Sequence, residues 1–464
     1  MSQGSRLLRG GARAVAGAVV VGVCATAVVL LGGASLPEVV REPAAITVDT
    51  TQDSSRTLVC AGSFAELGAD PARPSVAIPR GEPSVVVSGA AAAAALTRPE
   101  GNEGAPATFT APLSEPLAAA QLQSVETENL RGLAASACAE PLNEQWLLGG
   151  GTSAGISTTL SLANPGKVPA TVRIEVFDEN GPVDSVQSAG VLVAPGSQQT
   201  VSLSGYAPDR ERVAVRVVST GAPVTAGLGI GQVEGISPFA VSSVTRQGRP
   251  QEQLVLPGIA NVSDHDSLHA SDAGEGDEFP VIVRVFAPDG GSGTARLRAL
   301  GDGGSVELGT VDFAGDAVAE LRIVSWPEGA HALAVEADVP VLAAALGSST
   351  VDERHDYEWV TPAPPIAADQ AVAAPVVAGG RPVIANAGGG EARGRVARAD
   401  GSGDPATVRV PAGGSVLVRS PATAVLTSSE PVSAGVRVLG KGAIAAYPVL
   451  APDAREGELT VYTR

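Results

Sequence analysis

Residues 149–157 read Gly-Gly-Gly-Thr-Ser-Ala-Gly-Ile-Ser, and within them Gly151, Ser153 and Gly155 have the G-x-S-x-G spacing of a serine nucleophile elbow. That chemistry needs the serine on a sharp strand-to-helix turn above a parallel sheet, with a histidine and a carboxylate in reach to take its proton. The chain has four histidines, His265, His269, His331 and His355. The segment just after Ser153, however, contains Ile-Ser-Thr-Thr-Leu-Ser-Leu-Ala-Asn-Pro-Gly, which alternates like a strand and ends in a turn. No strand–helix–strand pattern surrounds it. The glycines are therefore read as tight-turn residues and Ser153 as part of a turn, and no catalytic residue is assigned.

A second chemical candidate lies further on. Asp264, His265, Asp266, His269, Asp272, Glu275, Asp277 and Glu278 crowd one segment between strands. Carboxylates suit calcium or another hard cation, and histidine would shift the preference toward zinc. The spacing is not that of a calcium loop, and an acidic, glycine-containing loop is ordinarily a solvated one. Asp264, His265, Asp266 and His269 are thus weak metal candidates, and no cofactor is expected. His355 and Asp356, in Val-Asp-Glu-Arg-His-Asp-Tyr-Glu-Trp, repeat the combination more faintly. Gly435 to Gly442, Gly-Val-Arg-Val-Leu-Gly-Lys-Gly, approaches a phosphate loop but lacks the hydroxyl residue after Lys441 and a following helix. It reads as a strand and its turn. Asn261-Val262-Ser263 is a glycosylation sequon by letters only.

The elements that would have to position such groups are bounded by composition. Apolar residues make up 44% of the 464 but aromatics only 3%, so cores must be built from Val, Ala and Leu, with few rings to stack on a sugar. Acidic residues outnumber basic ones, 49 to 31, for a net charge of −18. Such a surface repels polyanions, so nucleic acid is excluded as a partner.

The N-terminus speaks to compartment. Residues 1–13 carry Arg6, Arg9 and Arg13 and no acid, and Ala14–Leu36 is free of charge. A membrane helix needs about 20 apolar residues, whereas a signal-peptide core is about 7–15 long. The expectation is a basic cytoplasmic tail at 1–13 and a single-pass transmembrane signal anchor at 14–36, with the bulk outside by the positive-inside rule. Cleavage near Gly32-Gly33-Ala34 is the alternative and would release the protein. Cys24 sits inside the apolar run. Cys60 and Cys138 remain, and two cysteines in an exported region are expected to pair.

After a membrane-proximal region at 37–140, where Ala90–Ala95 reads as a short helix or a loop and Leu117–Cys138 as a candidate helix, the pattern becomes clearly β. Ala170–Gly181 alternates strictly, with Val172, Ile174 and Val176 on one face. Later stretches repeat the scheme. Asn386 answers Asn164, Pro411 answers Pro195, and the Pro-Val steps at 223, 340 and 431 answer one another. The fold expected is mainly β: tandem immunoglobulin-like β-sandwich modules at 141–250, 251–365 and 366–464, with a β-propeller-like array as the alternative.

The chain resembles an uncharacterised family, domain of unknown function 5719, through the "GLAASAC" cysteine segment, "WLLGGGTSAGISTTLSLANPGKVPATVRIEVF" and "VAPGSQQTVSL". The resemblance, together with an Ala-Gly-Val-Arg bias and only two lysines, implies an actinobacterial source. It implies no activity. The functional expectation is a non-enzymatic, membrane-anchored extracellular envelope protein that is structural or binds envelope proteins or cell-wall polymer. The alternative is an accessory protein or enzyme of envelope glycan metabolism using paired carboxylates.

Overall fold

A computed structural model describes residues 17–26, 45–49, 55–99, 101–184, 190–263, 277–352, 354–451 and 458–462. By internal contacts the chain divides into residues 1–52 with 455–464, and residues 53–454. In the first unit, residues 17–26 are helical and exposed, and strand Ala45–Asp49 pairs antiparallel with Glu458–Tyr462. Among the described residues no helix is long and apolar enough to cross a membrane. The rest of the expected anchor at 14–36, and the tail at 1–13, lie outside the described residues.

The second unit is built from sheets that come in pairs along the chain and are antiparallel except where Asn261–Ser263 runs parallel to Ala330–Val351. The first pair holds Ser55–Val59, Ala107–Pro112 and Ala92–Ala95 in one sheet, and Ser84–Ser88, Ala118–Glu126 and Arg131–Ala137 in the other. The disulfide Cys60–Cys138 joins the ends of two strands, one from each sheet, across 78 residues. Closing a loop that long is worth about 4 kcal/mol in the chain-entropy picture.

This region corrects two expectations. Ala92–Ala95 is an exposed edge strand, and Leu117–Cys138 is a strand hairpin, not a helix. The helical spacing was deceptive because Gln121 and Gln123 are buried. Their side-chain oxygens accept the backbone N–H groups of Gly62 and Phe64, at 3.1 and 2.8 Å, so polar residues stand at interior positions.

The second pair comprises Glu144–Leu148, Ala214–Thr220 and Ala170–Asp178 facing Ser197–Ser202, Ile156–Asn164, Thr225–Glu234 and Ser237–Thr245. Leu147, Leu160, Leu162, Val172, Ile174, Leu228 and Ile230 fill the space between them. In the third pair a single strand of 22 residues, Ala330–Val351, serves both sheets. Its first part pairs with Gln251–Pro257 and Gly293–Gly301, its second with Val281–Phe286 and Arg354–Val360. The fourth pair sets Val372–Pro375, Thr423–Ser428, Ala392–Arg398 and Ala406–Val410 against Gly414–Leu417, Gly380–Asn386, Ser433–Gly440 and Ala443–Pro448.

The repetition reaches atomic detail. Asn164 Nδ2 donates to the carbonyls of Val168 and Val193 while its Oδ1 accepts from Gly166 N–H. Asn386 does the same with Gly390, Pro411 and Gly388. Val224 and Val432 each form a two-way backbone bridge, with Leu142 and Ile366 respectively. Among the described residues strand pairing closes no barrel and no propeller. In each pair the last strand is a sheet edge: Arg131–Ala137, Ser237–Thr245, Arg354–Val360 and Ala443–Pro448. The first and third of these each pack against both the second and the fourth, so four sheet edges meet.

Candidate functional site

A buried sheet edge presents backbone N–H groups with no neighbouring strand to accept them, and each would cost free energy if left unpaired. Asp356, on the third of the converging edges, resolves this for all the others. Its Oδ2 accepts from Leu133 N and Ile444 N, each at 3.0 Å, and its Oδ1 accepts from Val241 N at 3.2 Å. One carboxyl, wholly buried, thus ties the other three edge strands to its own. Burial pushes this carboxyl well above the usual carboxylate range, and the Ile444, Leu133 and Val241 N–H groups pull it back down.

Two residues along the same strand, and therefore on the same face, stands Glu358, also wholly buried. Burial pushes its carboxyl up as well, opposed by the Ser242 hydroxyl, which donates to Oε2 at 3.0 Å. Ser242 Oγ in turn accepts from Trp359 N–H at 3.0 Å. The edge strands must come close for this, and Gly132 permits it: a Cβ there would lie 2.4 Å from Asp356 Oδ1 and 2.6 Å from Val241 N.

The neighbouring His355 points to the other face. Its ring lies between Phe239 and Phe279, with centroids 4.1 and 4.0 Å away, and Nδ1 meets Thr350 Oγ1 at 2.7 Å. Burial lowers its pKa to about 4, so the ring is neutral at pH 7. Aromatic packing and a hydroxyl hold it, and among the described residues it touches no carboxylate that could orient it as a base.

The glycine-serine motif has a different use from the one its spacing suggests. Ile156–Asn164, the next element, is an antiparallel strand, and Ser153 lies in the turn before it, its N–H donating to Arg210 O at 3.2 Å. Among the described residues the Ser153 hydroxyl makes no hydrogen bond. The glycines allow close approach. A Cβ on Gly149 would touch the Trp359 ring at 3.1 Å, and one on Gly151 would lie 2.8 Å from Glu211 O. Arg284, from the next sheet pair, donates to the carbonyls of Gly150 and Glu211, and its guanidinium carbon sits 4.4 Å from the Trp359 ring centroid. Glu320 holds Arg284 Nε at 3.0 Å and Arg212 at 3.5 Å. The motif is a junction between two sheet pairs, locked by a buried arginine.

Asp264, His265, Asp266, His269, Asp272 and Glu275 lie outside the described residues. Among the described residues no cluster of metal-ligating side chains forms. Asp277 is spent on structure, accepting from Asn261 Nδ2 at 2.7 Å and Trp326 N at 2.9 Å. Asn261 is thereby tied, with Ser348 donating to its oxygen at 2.8 Å. Gly435–Gly442 is a strand and hairpin turn, with Lys441 exposed and 3.7 Å from Asp352. His331 is largely buried, which lowers its pKa, and stands 3.5 Å from Asp302. Sequence reasoning missed Asp356 and Glu358 as partners of distant strands. Acids alternating within a strand of Tyr and Trp were the available signal.

The fold and this centre define a class: a disulfide-bonded, mainly β protein of paired sheets whose most perturbed acids serve strand joining. The chain belongs to a family of unknown function, DUF5719, whose model matches residues 96–421. No curated protein matches it. A solved structure of the tetra-tandem repeat in the extending region of a large adhesion protein is 12% identical over 85% of this chain and 98% of its own. Its TM-score is 0.11, and it carries no argument here.

Proposed function

We propose that this chain is a non-enzymatic, membrane-anchored extracellular envelope protein, a rigid β scaffold that is structural or binds a partner in the cell wall. The observation that carries the reading is Asp356. Asp356, which elsewhere would be a candidate for proton transfer, is sealed from solvent and occupied by strand N–H groups, and Glu358 beside it is equally sealed and held by the Ser242 hydroxyl. A general acid must touch its substrate, and these touch the protein's own groups. The disulfide supports an oxidising compartment. The basic flank and apolar run at 14–36 support attachment to the cytoplasmic membrane, N-terminus inside. Each sheet pair, with its shared core, is best understood as a sandwich module. The modules are coupled through Asp356 and Arg284 rather than strung as independent beads.

Fractionation of cells expressing a C-terminally tagged chain, followed by protease treatment of protoplasts, tests the placement. The expected result is tag in the membrane fraction and lost to protease. Tag protected from protease, or protein found wholly in the medium, would contradict it.

A further inference from the structure

Arg381 and Arg437 stand directly opposite each other on neighbouring antiparallel strands, Gly380–Asn386 and Ser433–Gly440. Like charges placed this way oppose the pairing. Val436 and Val438, on either side of Arg437, lie in the fourth sheet pair's own core. Val383 and Ala385, on the Arg381 face, instead meet Leu300, Ala332 and Ala334 of the third pair. Because side chains alternate, both arginines therefore face the third pair. Gly258 lets the chain pass close to them: a Cβ on it would lie 3.1 Å from Ala446 Cβ and 4.0 Å from Arg437 Cβ. The next residue, Ile259, accepts from Arg437 Nη1 through its carbonyl at 2.8 Å. His331, whose carbonyl accepts from Gly258 N–H at 2.9 Å, completes the group. Burial lowers the His331 pKa, and the nearby charges of Arg437 and Arg381 lower it further while Asp302 opposes them.

We propose that Arg381, Arg437 and His331 form a binding site for a phosphate group. Arg437 is only 7% exposed, yet among the described residues its guanidinium meets Ile259 O and no carboxylate. Its Nε and Nη2 find no acceptor there, and neither is sealed from solvent. Burial and then the Arg381 charge lower its pKa to about 10, with no acid in opposition. A cation taken out of water without an ion pair has nothing to offset its desolvation, and an anion would supply it. Arg381 is exposed and makes no ion pair among the described residues, so a ligand can reach the group from solvent. Two adjacent guanidiniums present forked N–H donors that match phosphate oxygens. Asp302, 3.5 Å from His331, is an acid at the rim, its side chain 64% exposed, and it weakens rather than prevents anion binding. Residues 366–451 carry eight basic and five acidic side chains in a chain of net charge −18, so the sign is reversed locally. The site is independent of the scaffold reading.

The test uses the full-length protein with inorganic phosphate at constant ionic strength, read by calorimetry and by phosphorus NMR line broadening, with proton NMR following the His331 ring. The expected result is saturable binding accompanied by a rise in the His331 pKa, because an anion offsets the two guanidiniums beside it. Arg381→Gln, at an exposed position, should keep the melt of the native chain and weaken binding by about tenfold, the loss of one charge-assisted contact. Arg437→Gln should weaken it at least as much, and Asp302→Asn should tighten it. Dimethyl phosphate is the second arm. Binding alongside inorganic phosphate assigns the site to a phosphodiester of a polymer, and binding of inorganic phosphate alone assigns it to a free or terminal phosphate; either supports the proposal. Absence of binding would overturn it. So would binding undiminished in a folded Arg381→Gln variant, or binding that leaves the His331 titration unmoved.

Discussion

Asp356 accepts a hydrogen bond from the backbone N–H of Leu133, a residue 223 positions earlier in the chain, at 3.0 Å. The contact joins the disulfide-bearing sheet pair to the third pair. With the parallel contacts to Val241 and Ile444 it makes the four edges interdependent.

Close approach at this point is demanded of Gly132. Gly132→Ala places a methyl 2.4 Å from the Asp356 carboxyl, and the edges must separate to admit it. Overpacking of this kind costs about 1–3 kcal/mol. Gly389→Ala, where a Cβ would meet nothing within 4 Å, is the matched control. Chemical denaturation of both should show a lowered midpoint for the first and little change for the second.

Ser153→Ala should leave the melt and any binding unchanged. Ile174→Asp or Val176→Asp should unfold the surrounding sheets, since both positions are buried within a shared core. A lone carboxylate there costs several kcal/mol. Circular dichroism melts decide the matter, and silence of the Asp variants would remove the strand assignment.

His355 gives the protein a defined response to acid. Its folded pKa of about 4 lies below the ordinary value near 6.5, so protonation favours the unfolded chain. Its contribution is fully present above pH 6.5 and is lost as pH falls toward 4, by roughly 3 kcal/mol at one pKa unit per 1.36 kcal/mol. Asp356 and Glu358, raised by burial, work in the opposite sense, because their protonation favours the fold. The readout is therefore a difference: stability of the native chain minus that of His355→Phe, measured from pH 7.5 to 4.5, should decline with falling pH. A flat difference would contradict the buried neutral ring.

The repeat predicts a matched pair of costs. Asn164 and Asn386 are buried and make equivalent bonds in the second and fourth sheet pairs. Replacing either with Ala should destabilise by a similar amount, about 2–3 kcal/mol, because each leaves two or more backbone groups without a partner. Urea titration of the two variants provides the comparison.

Much of the architecture was legible because strict alternation, as at Val172, Ile174 and Val176, is a local signal that tertiary packing did not override. The echoes of Asn164 in Asn386 and of one Pro-Val step in another were legible for the same reason, since each marks a turn or bridge fixed within a few residues. The disulfide followed from there being two cysteines in the region expected to be exported. The first sheet pair was misread because buried Gln121 and Gln123 broke the alternation, their partners Gly62 and Phe64 lying far away in sequence. The centre was not legible. Asp356 matters through Leu133, Val241 and Ile444, and nothing local ties those positions together. The glycine-serine stretch was legible only as a turn for a related reason, because groups its glycines accommodate, Trp359 and Arg284, come from another sheet pair.

The most direct test of strand joining at this centre is Asp356→Ala, read by calorimetry and by amide hydrogen exchange across the whole chain. The substitution leaves three buried N–H groups without an acceptor, at roughly 1–3 kcal/mol each. The expected result is a lower melting temperature with the four sheet pairs destabilised together, and loss of protection at Leu133, Val241 and Ile444 in the same variant. An unchanged melt with those three amides still protected would contradict it, and loss of a measurable hydrolytic activity in that intact variant would return the centre to catalysis.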